Sequence, residues 1–281
     1  MSQLWRDQIR VFIAPERVDL VRISRSLKGL GRFVQAPRIT HSCVRDPDQS
    51  IWEAPLQKFE QLMKDAADTE VMITLSNHFI RYGILSPQAE ITKPSEVNAY
   101  ATFRMREVYG ERADKWKLSV SAWDPFGGAI CAAIDHDLMA RFEEIATLYR
   151  IKLKDVEPYL ASTFDHWKRL LCGPRVYFAL VETGRICIAL LIDGVWQNIR
   201  NQRILHCVED ELLAALDQVA ILSGHKKIVE QVHLFAPENP GLALTVVSGW
   251  RIIPLKTEKI PKLAHYPTPI VNSGEVKKCA A

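Results

Sequence analysis

Residues 175–203 read RVYFALVETGRICIALLIDGVWQNIRNQR and predict three consecutive antiparallel strands. Two apolar runs, Val176 to Val181 and Ile186 to Ile192, are separated by Glu182-Thr183-Gly184-Arg185, and Asp193-Gly194 follows the second run. An Asp-Gly pair between apolar runs favours a type I′ hairpin turn, in which both central residues have positive φ. The fold is expected to form around this meander.

Composition indicates an ordinary globular protein. Of the 281 residues, 48% are hydrophobic and 25% are charged, which is enough for a large core. The formal net charge of +3 is too small to indicate nucleic-acid binding by itself, and it argues against a nucleic-acid-binding module. The six cysteines include no Cys-x-x-Cys pair, so no metal site is expected.

The hydropathy pattern predicts a cytoplasmic location without insertion into a membrane. The N-terminal segment has no apolar core of signal-peptide length before Pro15, and no run of about 18 apolar residues occurs elsewhere.

The order of predicted elements repeats along the chain. Each half opens with a three-stranded antiparallel meander, continues with an amphipathic helix and returns through a strand. This order predicts an N-terminal lobe over 1–170, with an inserted subdomain at about 76–126. A C-terminal lobe follows over 171–255, and 256–281 is an irregular segment.

Several local predictions follow from turn and cap chemistry. Asn77 is expected in a positive-φ turn between two strands, Ser95 as the N-cap of a helix that Gly110 ends, and Asp135 as the cap of the next helix. Pro37 is expected to interrupt the third strand of the N-terminal meander. A short helix is expected after the turn at 237–241.

Three segments carry a family resemblance. They are VMITLSNHFIRYGIL (71–85), CAAIDHDLMARFEEIATLYRIKLKDVEPY (131–159) and VYFALVETGRICIALLIDGVWQNIRNQRI (176–204). Together they resemble the actin-like type IV pilus assembly proteins of the PilM kind and the cytoplasmic domain of the type II secretion protein GspL. The resemblance implies an α/β, actin-like (ribonuclease H-like) duplicated two-lobed fold with mixed sheets and an inserted α+β subdomain.

In actin-like ATPases the first turn of each meander wraps phosphate with backbone N–H groups and carries an aspartate that positions Mg²⁺. Here the first turn is Ala14-Pro15-Glu16-Arg17, in which Pro15 lacks a backbone donor and no glycine is present. Carried over, the resemblance makes Glu182, Thr183, Gly184 and Gly241 a degenerate nucleotide site. Asp193 is explained by turn geometry, and Asp155 by a solvated strand end.

These departures favour a non-catalytic scaffold with no cofactor and no catalytic residue. The resemblance implies a protein partner, namely a peptide segment of a membrane-anchored pilus or secretion component, which would hold the protein peripherally at the inner membrane. The expected partner groove lies beside the inserted subdomain, and its expected binding residues are Val71, Phe79, Tyr100 and Phe103. The alternative is an active actin-like ATPase or small-molecule kinase that binds Mg-ATP between the lobes, with Glu182 or Asp193 organising Mg²⁺.

Overall fold

The central meander forms as the sequence predicts. The computed structural model describes residues 7–25, 33–224, 229–242, 244 and 249–256. Its antiparallel strands are β10 (Arg175–Glu182), β11 (Arg185–Ile192) and β12 (Val195–Arg203). The φ angles of Asp193 (51°) and Gly194 (80°) are both positive, as a type I′ turn requires.

The meander belongs to a five-stranded sheet with the order β12-β11-β10-β13-β14. Strands β13 (Glu230–Phe235) and β14 (Trp250–Pro254) extend it in parallel. Helix α5 (Val208–Leu222) buries an apolar stripe against one face of this sheet, because its apolar residues recur at helical spacing. The short helix expected after 237–241 lies outside the described residues.

The N-terminal sheet repeats this plan. Its strands, in chain order, are β1 (Gln8–Ala14), β2 (Arg17–Arg25), β3 (Phe33–Gln35), β4 (Ile39–Ser42), β5 (Glu70–Leu75) and β9 (Lys152–Pro158). The order is β3-β2-β1-β5-β9, with β4 also paired to β2, and β5 and β9 are parallel to β1 and β5 respectively. The third run of the meander is therefore two short strands on either side of Pro37.

The predicted insertion contains a third, antiparallel sheet. Its order is β6-β8-β7, formed by β6 (Ile80–Leu85), β7 (Trp116–Val120) and β8 (Ala129–Asp135). Strand β8 lies beyond the predicted boundary at 126, yet it is the central strand, so the insertion extends through it.

Helix α2 (Pro94–Tyr109) covers one face of this third sheet and is followed by a short 3-10 helix (Gly110–Lys115). The predicted N-cap at Ser95 is wrong. The helix starts at Pro94, whose fixed φ suits the first helical position, and the Glu96 carboxylate accepts the backbone N–H of Lys93 at 3.1 Å. Gly110 ends the helix with a positive φ, as predicted.

Two helices pack against the N-terminal sheet. Helices α1 (Glu53–Met63) and α3 (His136–Leu148) meet through Phe59 and Phe142, whose ring centroids are 5.5 Å apart. Asp135 caps α3 as predicted, accepting the Asp137 backbone N–H. None of the helices in the described ranges is long and apolar enough to cross a bilayer.

Helix α4 (Tyr159–Trp167) contacts both large sheets. The ring centroid of Tyr159 lies 4.8 Å from that of Phe12 in β1 and 6.4 Å from that of Phe235 in β13. The ring centroids of Phe164 and Phe178, in β10, are 6.0 Å apart. The apolar core therefore runs without interruption from the N-terminal to the C-terminal sheet.

We expect Gly194→Ala to lower the free energy of unfolding by about 1–2 kcal/mol, because an alanine side chain disfavours the left-handed φ that this turn needs. Urea denaturation measures the loss. Gly241→Ala is the matched control, since Gly241 has neither a positive φ nor a neighbour within 4 Å of an added Cβ. Equal stability of the two variants would contradict the type I′ assignment.

Candidate functional site

The first turns of the two meanders are joined by one carboxylate. The turn between β1 and β2 is followed by Arg17, and the turn between β10 and β11 is Thr183-Gly184. Glu238, from the loop after β13, forms an ion pair with Arg17 and accepts the Thr183 backbone N–H at 2.6 Å. The Thr183 hydroxyl donates to the same carboxylate. We call this set of contacts the Glu238 bridge.

Glu182 is not in the turn, where the sequence placed it. It is the last residue of β10, paired with Arg185, and only 4% of its surface is exposed. Its Oε2 accepts both the backbone N–H (3.1 Å) and the side-chain amide (2.8 Å) of Asn77. The hydrophobic strand carries Glu182 into the core.

Asn77 connects three parts of the molecule. Its Oδ1 accepts the Tyr82 hydroxyl of β6 at 2.6 Å and the Leu160 backbone N–H of α4 at 3.3 Å. Its backbone carbonyl accepts from the Asn201 side chain of β12 at 2.9 Å. The expected positive φ at Asn77 is wrong; this residue is used for its side-chain and backbone donors, which both contact Oε2 of the buried Glu182 carboxyl group.

Burial decides the electrostatics of Glu182. It raises the pKa of this carboxyl to about 7, because a charged carboxylate loses its hydration there, and hydrogen bonds from Ser76 and Asn77 oppose the shift. His78, in the same segment, has its pKa lowered to about 3 by burial and by the nearby guanidinium groups of Arg185, Arg203 and Arg81. Burial therefore favours the neutral form of Glu182 over the charged form.

A buried cluster of charged side chains lies beside the turn between β1 and β2. Asp19 of β2 is 1% exposed and pairs with Arg17 and with Arg38. Burial opposes the charge of Arg17, but the carboxylates of Glu238 and Asp19 outweigh it and raise the pKa of Arg17. This group fixes the Arg17 guanidinium in one orientation toward Glu238.

The residues present do not fit a magnesium-bound nucleotide phosphate. Pro15 removes one backbone donor from the first turn, and the Thr183 donors of the second turn are used by Glu238. Gly184 lies beside the His78 ring, and Gly241 lines a separate cavity beside Trp250 and Ile252. Within the described ranges, no three His, Cys, Asp or Glu side chains are grouped as metal ligands.

A groove separates the inserted sheet from the N-terminal sheet. It has a volume of about 590 Å³ and runs between β7 and β9, with α3 along it. Among the described strands, β7 pairs only with β8 and β9 pairs only with β5, so each presents an unpaired edge. The apolar residues that line the groove include Leu118, Ile134, Met139, Leu153 and Val156.

The four predicted partner-binding residues occupy different environments. Val71 is fully buried in β5 and Phe79 is 7% exposed, so neither presents its side chain to a partner in this structure. Tyr100 packs against Trp123, with ring centroids 6.1 Å apart. Phe103 is 63% exposed on α2, which covers the opposite face of the inserted sheet from α3.

The sequence did not predict that Asn77 donates hydrogen bonds to Glu182, or that Arg17 and Glu238 form an ion pair. Arg17 and Glu238 lie 221 positions apart, and no local pattern links them. The groove was also missed, because it depends on how two sheets are placed.

Solved structures confirm the fold that the sequence resemblance implies. No protein-family model matches the sequence, and no curated protein matches it. A chain of the PilM-PilN type IV pilus biogenesis complex aligns with a TM-score of 0.62 and 14% identity over 88% of each chain. The chain therefore has the actin-like fold.

Two further structures are similar. One is the cytoplasmic domain of EpsL, an inner membrane component of the type II secretion system of Vibrio cholerae. It aligns with a TM-score of 0.52 and 10% identity, over 89% of this chain and 90% of that one. The other is a Bacteroides thetaiotaomicron protein with an actin-like ATPase fold and unknown function, with a TM-score of 0.55 and 9% identity over 83% and 84%.

We expect Glu182→Gln to stabilise the protein increasingly as pH rises from about 4.5 to about 7. Below that window Glu182 is protonated in both the folded and unfolded states. Between these pH values Glu182 ionises in the unfolded state but stays protonated in the folded state, which stabilises the unfolded wild type. The glutamine side chain does not ionise, so the variant keeps its stability. The gain levels off above pH 7 at up to about 3 kcal/mol. Urea denaturation across this pH range measures it.

Glu90→Gln, at an exposed position, is the control and should show no such trend. A Glu182→Gln effect that stays constant with pH would contradict the raised pKa.

Proposed function

We propose that this protein is a non-catalytic actin-like scaffold. It binds an extended peptide segment of a membrane-anchored pilus or secretion component in the groove between β7 and β9. The observation that carries the proposal is the pair of unpaired strand edges on either side of an apolar groove. The similarity to a chain of the PilM-PilN complex and to the EpsL cytoplasmic domain supports the kind of partner.

Strand edges give a peptide its main-chain hydrogen bonds. A segment in extended conformation pairs with β7 or β9, and alternate side chains point into the groove, as in other cases of strand addition. The apolar lining favours aliphatic or aromatic residues at those alternate positions.

The charges around the groove favour a basic residue in the bound peptide. Lys117 is paired with Glu143 at 2.8 Å, and Lys154 lies 3.6 Å from the Glu70 carboxylate. Asp155 lies exposed on the β9 side. With both lysines neutralised by neighbours, a basic peptide residue beside Asp155 is favoured over an acidic one.

This function requires no turnover. The protein acts in the cytoplasm, at the inner surface of the membrane through its partner, and binds no nucleic acid. The absence of a catalytic residue and of a nucleotide cofactor belongs to the same proposal, supported by the use of Thr183, Arg17 and Glu182 in internal contacts.

Met139→Glu is expected to weaken peptide capture at least tenfold, because it places a carboxylate in the apolar groove. Binding is measured by fluorescence anisotropy with labelled synthetic peptides, taken from the cytoplasmic N-terminal segments of the source organism's membrane-anchored pilus and secretion proteins. Leu148→Glu is the matched control, since Leu148 is 66% exposed on the same helix and does not line the groove. Equal affinities for the two variants would contradict the groove.

The surface predicted from sequence is tested in the same assay. Phe103→Glu changes an exposed side chain on α2 and leaves the groove intact. Loss of capture by Phe103→Glu, with Met139→Glu unaffected, would move the partner surface to α2.

The non-catalytic part of the proposal predicts no response to nucleotide. A ligand at about 100 times its Kd adds roughly 2.7 kcal/mol of stability, which a melting curve detects. We expect millimolar Mg-ATP to leave Tm unchanged. A rise in Tm that Glu182→Gln abolishes, together with ATP turnover, would instead support the ATPase or kinase alternative.

A further inference from the structure

The Glu238 bridge contains hydrogen-bond donors of the kinds that bind anionic ligands in proteins. A backbone N–H and a hydroxyl come from Thr183 in the C-terminal lobe, and a guanidinium comes from Arg17 in the N-terminal lobe. Such donors, pointing at one position, bind the oxygens of phosphate or carboxylate groups.

The two oxygens of Glu238 divide between the lobes. Oε1 accepts from the Arg17 guanidinium, and Oε2 accepts from the Thr183 backbone and hydroxyl. The loop that carries Glu238 follows β13, 221 positions from Arg17 and 55 from Thr183. A single side chain therefore cross-links the two turns.

The surroundings strengthen the ion-pair half of this link, whereas the Thr183 half is exposed to solvent. The side chain of Glu238 is 10% exposed and that of Arg17 is 21% exposed, so water competes weakly for the ion pair. Asp19 holds the other side of the guanidinium through Arg17 Nε at 3.3 Å. Asp19 thus orients the Arg17 guanidinium independently of Glu238.

We propose that the Glu238 carboxylate is a built-in substitute for an anionic ligand between the lobes, holding the two meander turns together without a nucleotide. The donors that an external phosphate would use are occupied by the chain itself. Removing the carboxylate exposes an oxyanion site made by Arg17 and Thr183, which inorganic phosphate can fill.

The experiment compares wild type, Glu238→Ala and the exposed control Glu90→Gln by thermal unfolding, with and without 20 mM inorganic phosphate at matched ionic strength. Loss of the charge-assisted bonds is expected to lower the Tm of Glu238→Ala by about 5 °C. Phosphate should restore part of that loss and leave the other two proteins nearly unchanged. An unchanged Tm for Glu238→Ala, or an equal phosphate effect on all three proteins, would overturn the proposal.

Hydrogen exchange gives a second measurement if Glu238→Ala folds poorly. Glu238→Gln keeps the side-chain shape and an acceptor for Thr183 but loses the ion pair with Arg17. Exchange of the 16–19 segment, next to Arg17, is expected to be faster than in wild type, while exchange of α3 stays the same. Unchanged exchange at 16–19 would contradict the bridge. Peptide capture is measured separately, so failure of the groove proposal leaves this result intact.

Discussion

The contact between Asn77 and Glu182 is the interaction on which the arrangement of the three sheets depends. A carboxyl group with 4% exposure is costly unless it is hydrogen-bonded, and Asn77 supplies two donors to its Oε2, while its Oε1 accepts no hydrogen bond from the described residues. The same asparagine accepts from Tyr82 of the inserted sheet and from the backbone of α4, and its carbonyl accepts from Asn201 of the C-terminal sheet. The N-terminal lobe, the C-terminal lobe and the insertion are thereby held by polar contacts of one residue, within a continuous apolar core.

The first turns of the two meanders are joined through side chains of the chain itself. Arg17 at the first turn and Thr183 at the second both contact Glu238. Glu182 is buried against Asn77, and Glu238 is paired with Arg17 and Thr183. Such contacts hold the two lobes in one relative position, which is the arrangement that the proposed scaffold role uses.

The insertion supplies one of the two strand edges that border the groove. Its sheet ends at β7 and the N-terminal sheet ends at β9, so two strand edges lie on either side of one cavity. Exposed strand edges are normally shielded because they pair with other chains. Here the two edges, unpaired among the described strands, border the same apolar groove, which is why the proposed peptide site is placed there.

The sequence by itself determined the local elements, because their signals are local. Apolar alternation and the Asp193-Gly194 pair predicted the second meander and its turn, Asp135 and Gly110 marked helix ends, and the repeated order of elements indicated the duplicated fold. The predictions failed where a side chain's role depends on a distant partner: Asn77 was interpreted by its turn propensity and Glu182 as a turn residue. Only the tertiary structure decided that Arg17 and Glu238, 221 positions apart, form one pair and that β7 and β9 border one groove. Contacts of this range depend on how sheets pack in three dimensions, and hydrophobic periodicity along the chain carries no information about that packing.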